Sequence, residues 1–288
     1  MIAEVLVLGT VVGGIWALVA SGFSLIFGVA RILNFAHGVL FILGAYFTIS
    51  LNSVLSNFFG KLSLVLSIFL SILLVGFIGL LIYWILLAPI KEYEIMIMLI
   101  TLALALLVNE LILLTFKDIS ISVPTLIPGK VEILGIPLTY TRIFALLSAL
   151  SLLIALELFI RKTRIGKSIL AVSQDKEAAM LIGINVDRIY SLSMFISAVF
   201  AAFGGILYAQ IYAVNPETAL RVLIYAFAIV ILGGLGNVRG SIFAAFIIGY
   251  LQVLTSLTLG ARWIEIVAMV IIILILIIRP KGLFGVET

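Results

Sequence analysis

Residues 161–188 read RKTRIGKSILAVSQDKEAAMLIGINVDR, the one strongly charged passage in an otherwise apolar chain. Six of the seventeen basic residues fall here (Arg161, Lys162, Arg164, Lys167, Lys176 and Arg188), alongside Asp175, Glu177 and Asp187. The sequence on either side is apolar enough to sit in lipid, so this island is where a water-soluble partner can grip. Within it, Ser173 to Gly183 predicts a short helix. Ser173 caps the start by accepting from a free backbone N–H, and Asp175 and Glu177 then lie where the helix dipole favours negative charge. Gly183 suits the left-handed turn that closes a helix, with Ile184 as an apolar contact beyond it. A helix of roughly eight to ten residues is marginal alone in water, so this one needs something to pack against.

Working outward, the 288 residues are 65% hydrophobic and 10% charged, with a mean hydropathy of +1.41. A water-soluble domain carries about a quarter charged residues, so the composition predicts an all-α, polytopic integral membrane protein. There is no cysteine, which removes disulfides and thiolate chemistry. The net charge of +4 reflects Lys and Arg retained on cytoplasmic loops and not a nucleic-acid partner. Met1 to Phe27 lacks a basic start and runs on as a full-length span, so it reads as a first membrane helix and not a cleavable signal.

About twenty apolar residues cross a hydrocarbon core. Candidate spans are 5–27, 36–56, 62–88, 95–116, 141–160, 189–212, 219–234, 240–259 and 263–278, within a range of eight to ten transmembrane helices. With the island inside and sides alternating, the inner segments hold Arg31, Lys91, the six island residues, Arg239, Arg279 and Lys281, and the outer ones Lys61, Lys117, Lys130, Arg142, Arg221 and Arg262. That bias places the island and the C-terminus in the cytoplasm. The outer segment 117–140 contains three prolines and reads as a structured extracytoplasmic loop, with Val131 to Leu138 as a hairpin arm. Residues 1–288 form one membrane domain.

Two glycine patterns are decoys. Gly166-Lys167-Ser168 ends like a phosphate-binding loop, but Arg161 stands where the first glycine is required. Gly233-Gly234-Leu235-Gly236 lacks both the spacing and the βαβ context of a dinucleotide site. Asn34-Phe35-Ala36-His37-Gly38 places the only histidine between two apolar segments. Asn34 and His37 either line a substrate path or satisfy backbone groups at a helix break; no second ligand is spaced for a metal. Asn109 and Glu110 lie inside the fourth span, where a carboxylate is costly unless it meets water or a partner; Glu110 either attracts a substrate ammonium or is snorkelled or bonded between helices. Glu157 pairs with Arg161 one turn on. Gln210, Asn215 and Glu217 read as ordinary loop polarity at the outer end of the sixth span. Arg262 and Glu265 anchor the start of the last helix, and Gly9, Gly13, Gly204 and Gly205 permit close helix approach.

Taken together, Gly22-Phe23-Ser24-Leu25-Ile26-Phe27-Gly28, Asn34-Phe35-Ala36-His37-Gly38, Gly44-Ala45-Tyr46, Thr163-Arg164-Ile165-Gly166, Gly183-Ile184-Asn185-Val186-Asp187-Arg188, Leu232-Gly233-Gly234-Leu235-Gly236 and Arg279-Pro280-Lys281-Gly282-Leu283-Phe284-Gly285 resemble, in order, the permease subunits of branched-chain amino-acid ABC importers. Glu177-Ala178-Ala179, three residues and then Gly183 is similar to that family's coupling-helix motif. The resemblance implies that Arg164, Gly166, Asp175, Glu177, Ala178, Ala179, Gly183, Asp187 and Arg188 form or frame a cytoplasmic helix docking on a separate ATPase. It implies a multi-pass protein of the cell (inner, cytoplasmic) membrane, paired with a second permease or a copy of itself, with two ABC ATPases that carry ATP and Mg and an extracytoplasmic binding protein. This chain itself then binds no cofactor and performs no covalent step. The substrate implied is a branched-chain or other small neutral amino acid, with Asn34, His37, Asn109 and Glu110 as candidate path residues. Two other classes are weighed against this. A self-contained secondary transporter calls for paired intramembrane carboxylates, of which Glu110 is the sole candidate, and a membrane enzyme for convergent His, Asp or Glu groups.

Overall fold

A computed structural model describes residues 1–117, 119–133, 135–279 and 282–284. Each of the nine apolar segments is a helix. They are α1 (Ile2–Ala30), α2 (His37–Phe59), α3 (Ser63–Leu81), α4 (Glu94–Phe116), α5 (Tyr140–Lys162), α8 (Val186–Ile211), α9 (Thr218–Gly233), α10 (Val238–Thr258) and α11 (Ile264–Ile278). Two further helices, α6 (Arg164–Gln174) and α7 (Lys176–Leu181), make up the island. α3 runs on through a π-helical turn, Ile82–Leu87, and a 3-10 turn, Ala88–Ile90. Seven of these helices are long and apolar enough to cross a membrane, while α9, with 16 residues, and α11, with 15, are shorter.

α1 sits at the centre, packed on α10, α8, α5 and α9. Small residues make this possible, because lipid offers no hydrophobic drive between helices and association depends on close contact. Gly249 of α10 lies against the backbone of Gly13 on α1, and Gly205 of α8 lies against the backbone of Phe41 on α2. At either position a methyl group would overlap main-chain atoms.

Contacts between the helix ends sort the connections onto two faces. On one face Lys91 Nζ meets Asp187 Oδ1 at 2.6 Å, Glu157 pairs with Arg161 at 2.5 Å and also with Arg239, and Asn237 Nδ2 donates to the Phe284 carbonyl at 3.0 Å. On the other, Arg221 pairs with Glu265 and Ile121 bridges Val214. The predicted hairpin is present as β1 (Lys130–Ile133) antiparallel to β2 (Ile136–Thr139), with Lys130 opposite Thr139; Leu134 at its turn is outside the described residues. So are Pro280, Lys281 and Gly285 of the closing motif, whose Leu283 N–H donates to the Leu232 carbonyl at 2.7 Å.

Two connections fold back into the bundle, one of which, between α8 and α9, reads in the sequence as an ordinary outer loop. After α1 ends at Arg31, in a left-handed conformation with φ 56°, residues 32–36 return along the helix. His37 Nε2 meets the Val19 carbonyl at 3.0 Å, eleven residues or about 16 Å short of the end of α1. The Phe35 N–H donates to Thr101 Oγ1 at 3.1 Å, inside α4. Non-helical backbone at this depth is tolerated because protein buries it: Ile32, Asn34 and Ala36 are buried. The segment between α8 and α9 behaves likewise. Gln210 is buried and donates to the Pro124 carbonyl at 3.4 Å, and Asn215 Oδ1 accepts from Thr218 N and Oγ1 at 3.2 and 2.8 Å. Gln210 and Asn215 therefore hold a folded-back turn and are not ordinary loop polarity, whereas Glu217 is exposed. Because α9 begins beside Gly38, with the Ala219 carbonyl against that glycine, it starts inside the bundle, which accounts for its short length.

Candidate functional site

The island departs from the expected single helix. Thr163 starts α6: its Oγ1 accepts from Gly166 N at 2.9 Å and donates to the Phe159 carbonyl at 2.8 Å. Gly166 is pressed against the backbone of Phe159 and Ile160, and Ile169 and Val172 are buried behind it. Ser173 lies within the last turn of α6, donating to the Leu170 carbonyl at 2.8 Å, so it is not the cap. Asp175 takes that role, its Oδ1 accepting from Glu177 N at 2.9 Å and Ala178 N at 3.0 Å. The reason is electrostatic as well as geometric, since a carboxylate answers both the free N–H groups and the helix dipole. The overlooked helix did leave a signal, in Gly166, Ile169 and Val172 at three-residue steps after a capping threonine.

The far end of α7 is as expected. Gly183 has φ +85°, its N–H donates to Met180 O at 3.0 Å, and the Ile184 N–H donates to Ala179 O at 3.0 Å, the paired bonds of a Schellman closure. Ala179 is buried beneath the helix, whereas Glu177 and Ala178 are exposed. Leu181 is 89% and Ile182 75% exposed. These two aliphatic side chains project beyond a helix of six residues fixed at both ends.

Beyond Gly183, Asn185 caps α8, its Oδ1 accepting from the N–H of the exposed Arg188 at 3.1 Å. Asp187 points back into the bundle, accepting from Lys91 Nζ and from Tyr83 Oη at 2.8 Å. It therefore ties the first turn of α8 to the π-helical end of α3. Arg164 is exposed at the start of α6.

The four path candidates separate. Asn34 and His37 are fully buried. Asn34 Oδ1 accepts from Ala36 N at 3.0 Å, and His37 has Ser197 Oγ 3.5 Å from Nδ1 and Phe23 edge-on at 5.4 Å. Asn109 lines a cavity of about 470 Å³ between α2, α4, α9 and α11, walled by Phe35, Val39, Leu102, Leu106, Leu223 and Met269. Glu110, one residue on, is exposed on the outside of α4. A second cavity of about 490 Å³ lies among α1, α9 and α10, lined by Trp16, Tyr208, Arg142 and Gln252. Arg221, Tyr225 and Glu265 belong to both cavities, and the Arg221–Glu265 ion pair, 2.7 Å long, stands between them. Neither charged residue was singled out from sequence as a path residue, because their pairing joins the first turns of two helices far apart in the chain.

The family described as branched-chain amino acid transport system / permease component matches residues 5–277. The high-affinity branched-chain amino acid transport system permease protein LivH of Salmonella typhimurium is 29% identical, over 96% of this chain and 93% of its own length. BraD of Pseudomonas aeruginosa, a permease protein of the same description, is 27% identical over 97% of this chain and 94% of its own. The autoinducer 2 import system permease protein LsrC of Yersinia enterocolitica is 28% identical, over 47% of this chain and 40% of its own.

Proposed function

The chain belongs to the branched-chain amino acid transport system permease family, and from that premise we propose that it is the membrane subunit of an ATP-driven importer of small neutral amino acids. The island faces the cytoplasm and receives an ABC ATPase on α7. A second permease, homologous or identical, completes the path, and an extracytoplasmic binding protein delivers leucine, isoleucine or valine to the opposite face. Two ATPases supply the ATP and Mg.

The observation that carries this reading is the α7 knob: a short helix capped at both ends that presents Leu181 and Ile182 to water. Exposed aliphatic side chains on so short a helix make sense when a partner covers them. Motion of that partner reaches the bundle by two rigid routes. One is α8 itself, 26 residues long and packed on α1, α2 and α3, with Ser197 beside His37 at the folded-back segment. The other is the Asp187 link to Lys91 and Tyr83. The chain's part is binding and gating, with no covalent step.

Affinity purification from the native membrane in mild detergent tests this. Recovery of ATPases and a second permease is the expected result. A stable transporter recovered without any ATPase would overturn it in favour of an ion-driven carrier.

A further inference from the structure

The Arg221–Glu265 pair joins the first turn of α9 to the first turn of α11, and both side chains are half exposed and line both cavities. An ion pair left open to two cavities is not explained by stability, since partly solvated pairs contribute little. Its chemistry matches a zwitterion: a guanidinium binds a carboxylate by a planar fork, and a carboxylate accepts from an ammonium. In the cavity of about 470 Å³, within the range of small-molecule sites, Asn109 adds a second polar group. Its Oδ1 has no hydrogen-bond partner among the described residues but is itself covered from solvent, so the cavity's acceptor for an ammonium is the Glu265 carboxylate. Glu217 adds a second carboxylate, and the wall is otherwise mostly aliphatic, with Leu102, Leu106, Leu223 and Met269 among its residues.

We propose that this cavity is the site through which the transported α-amino acid passes, with Arg221 taking its carboxylate, Glu265 its ammonium, and the aliphatic wall its side chain. The two charged residues part from each other as the substrate's charges replace them. A cation or an anion alone satisfies only one partner and leaves the other unpaired, so the pair selects molecules that carry both charges. This rests on the permease reading above.

The test uses the complete importer, with both permeases, ATPases and binding protein, in proteoliposomes, comparing wild type with Arg221→Gln, Glu265→Gln and the double exchange Arg221→Glu/Glu265→Arg. Uptake of labelled leucine is measured at saturating loaded binding protein, with complex yield and substrate-independent ATP hydrolysis as assembly controls. Each single variant is expected to assemble and hydrolyse ATP yet import leucine at least about tenfold more slowly, the scale of one lost charge-assisted hydrogen bond. The double exchange restores the pair but reverses it against Asn109 and the aliphatic wall, so uptake stays low. Wild-type uptake by the single variants, or recovery in the double exchange, would overturn the site and leave the importer reading standing. Failure of the wild-type complex to import leucine at all would instead remove the reading on which the site rests.

Discussion

Truncating the α7 knob separates docking from folding. Leu181 and Ile182 are 89% and 75% exposed, so the permease has almost nothing to lose when they become alanine. Alanine also keeps high helix propensity at Leu181, and the Schellman closure uses only main-chain atoms. In a complex the situation reverses. Shortening leucine to alanine removes about three carbons, roughly 2 kcal/mol if the site becomes fully buried against the ATPase. That is about a thirtyfold weaker Kd, with a further loss for Ile182 if it is covered too. The assay is titration of labelled ATPase onto the permease in nanodiscs, beside thermal unfolding of the permease alone. Leu181→Ala and Ile182→Ala are expected to weaken binding by that order while leaving Tm unchanged. Unaltered Kd, or a drop in Tm matching the loss of binding, would refute the reasoning.

Gly205→Val places a side chain into the backbone of Phe41, and overpacking at a main-chain contact is expected to cost about 3 kcal/mol or more, seen as a large fall in Tm or loss of the folded protein. His37→Ala removes a fully buried ring that meets the Val19 carbonyl and lines neither cavity. It is expected to cost about 2–4 kcal/mol of stability while uptake per folded molecule is kept; unchanged Tm with lost uptake would contradict this. Asp187→Asn removes the charge that holds Lys91. ATP hydrolysis is expected to continue while leucine imported per ATP falls about fivefold or more, measured by coupled phosphate release and uptake.

The spans were legible because lipid imposes a length and a composition, and nothing else in the chain competes with that signal. Contacts such as Asn237 to Phe284 bring onto one face segments that the Lys and Arg counts group together. The folded-back turns were not legible. Residues 32–36 offer Asn34 as their one turn former and residues 212–217 offer Asn215 and Pro216, and the depth of both shows only in the tertiary bonds of Phe35 to Thr101 and Gln210 to Pro124. The Gly183 end of the short helix was anticipated, but its start slipped by two residues because Ser173 and Asp175 are both good caps, and the run from Thr163 that absorbs Ser173 was not recognised as a helix. Of the polar path candidates, Asn109 meets a cavity while its neighbour Glu110 does not; adjacent helical residues point about 100° apart, and sequence alone does not tell which faces inward. The Arg221–Glu265 pair escaped notice for the reason that applies to any contact between distant helices.

ATP-dependent uptake of leucine by purified components in sealed proteoliposomes tests the central claim most directly. The expected result is accumulation that requires ATP, the ATPases and loaded binding protein together, and that stops when any one is omitted. Leucine uptake by this chain in vesicles lacking the ATPases, driven by an imposed ion gradient, would contradict it.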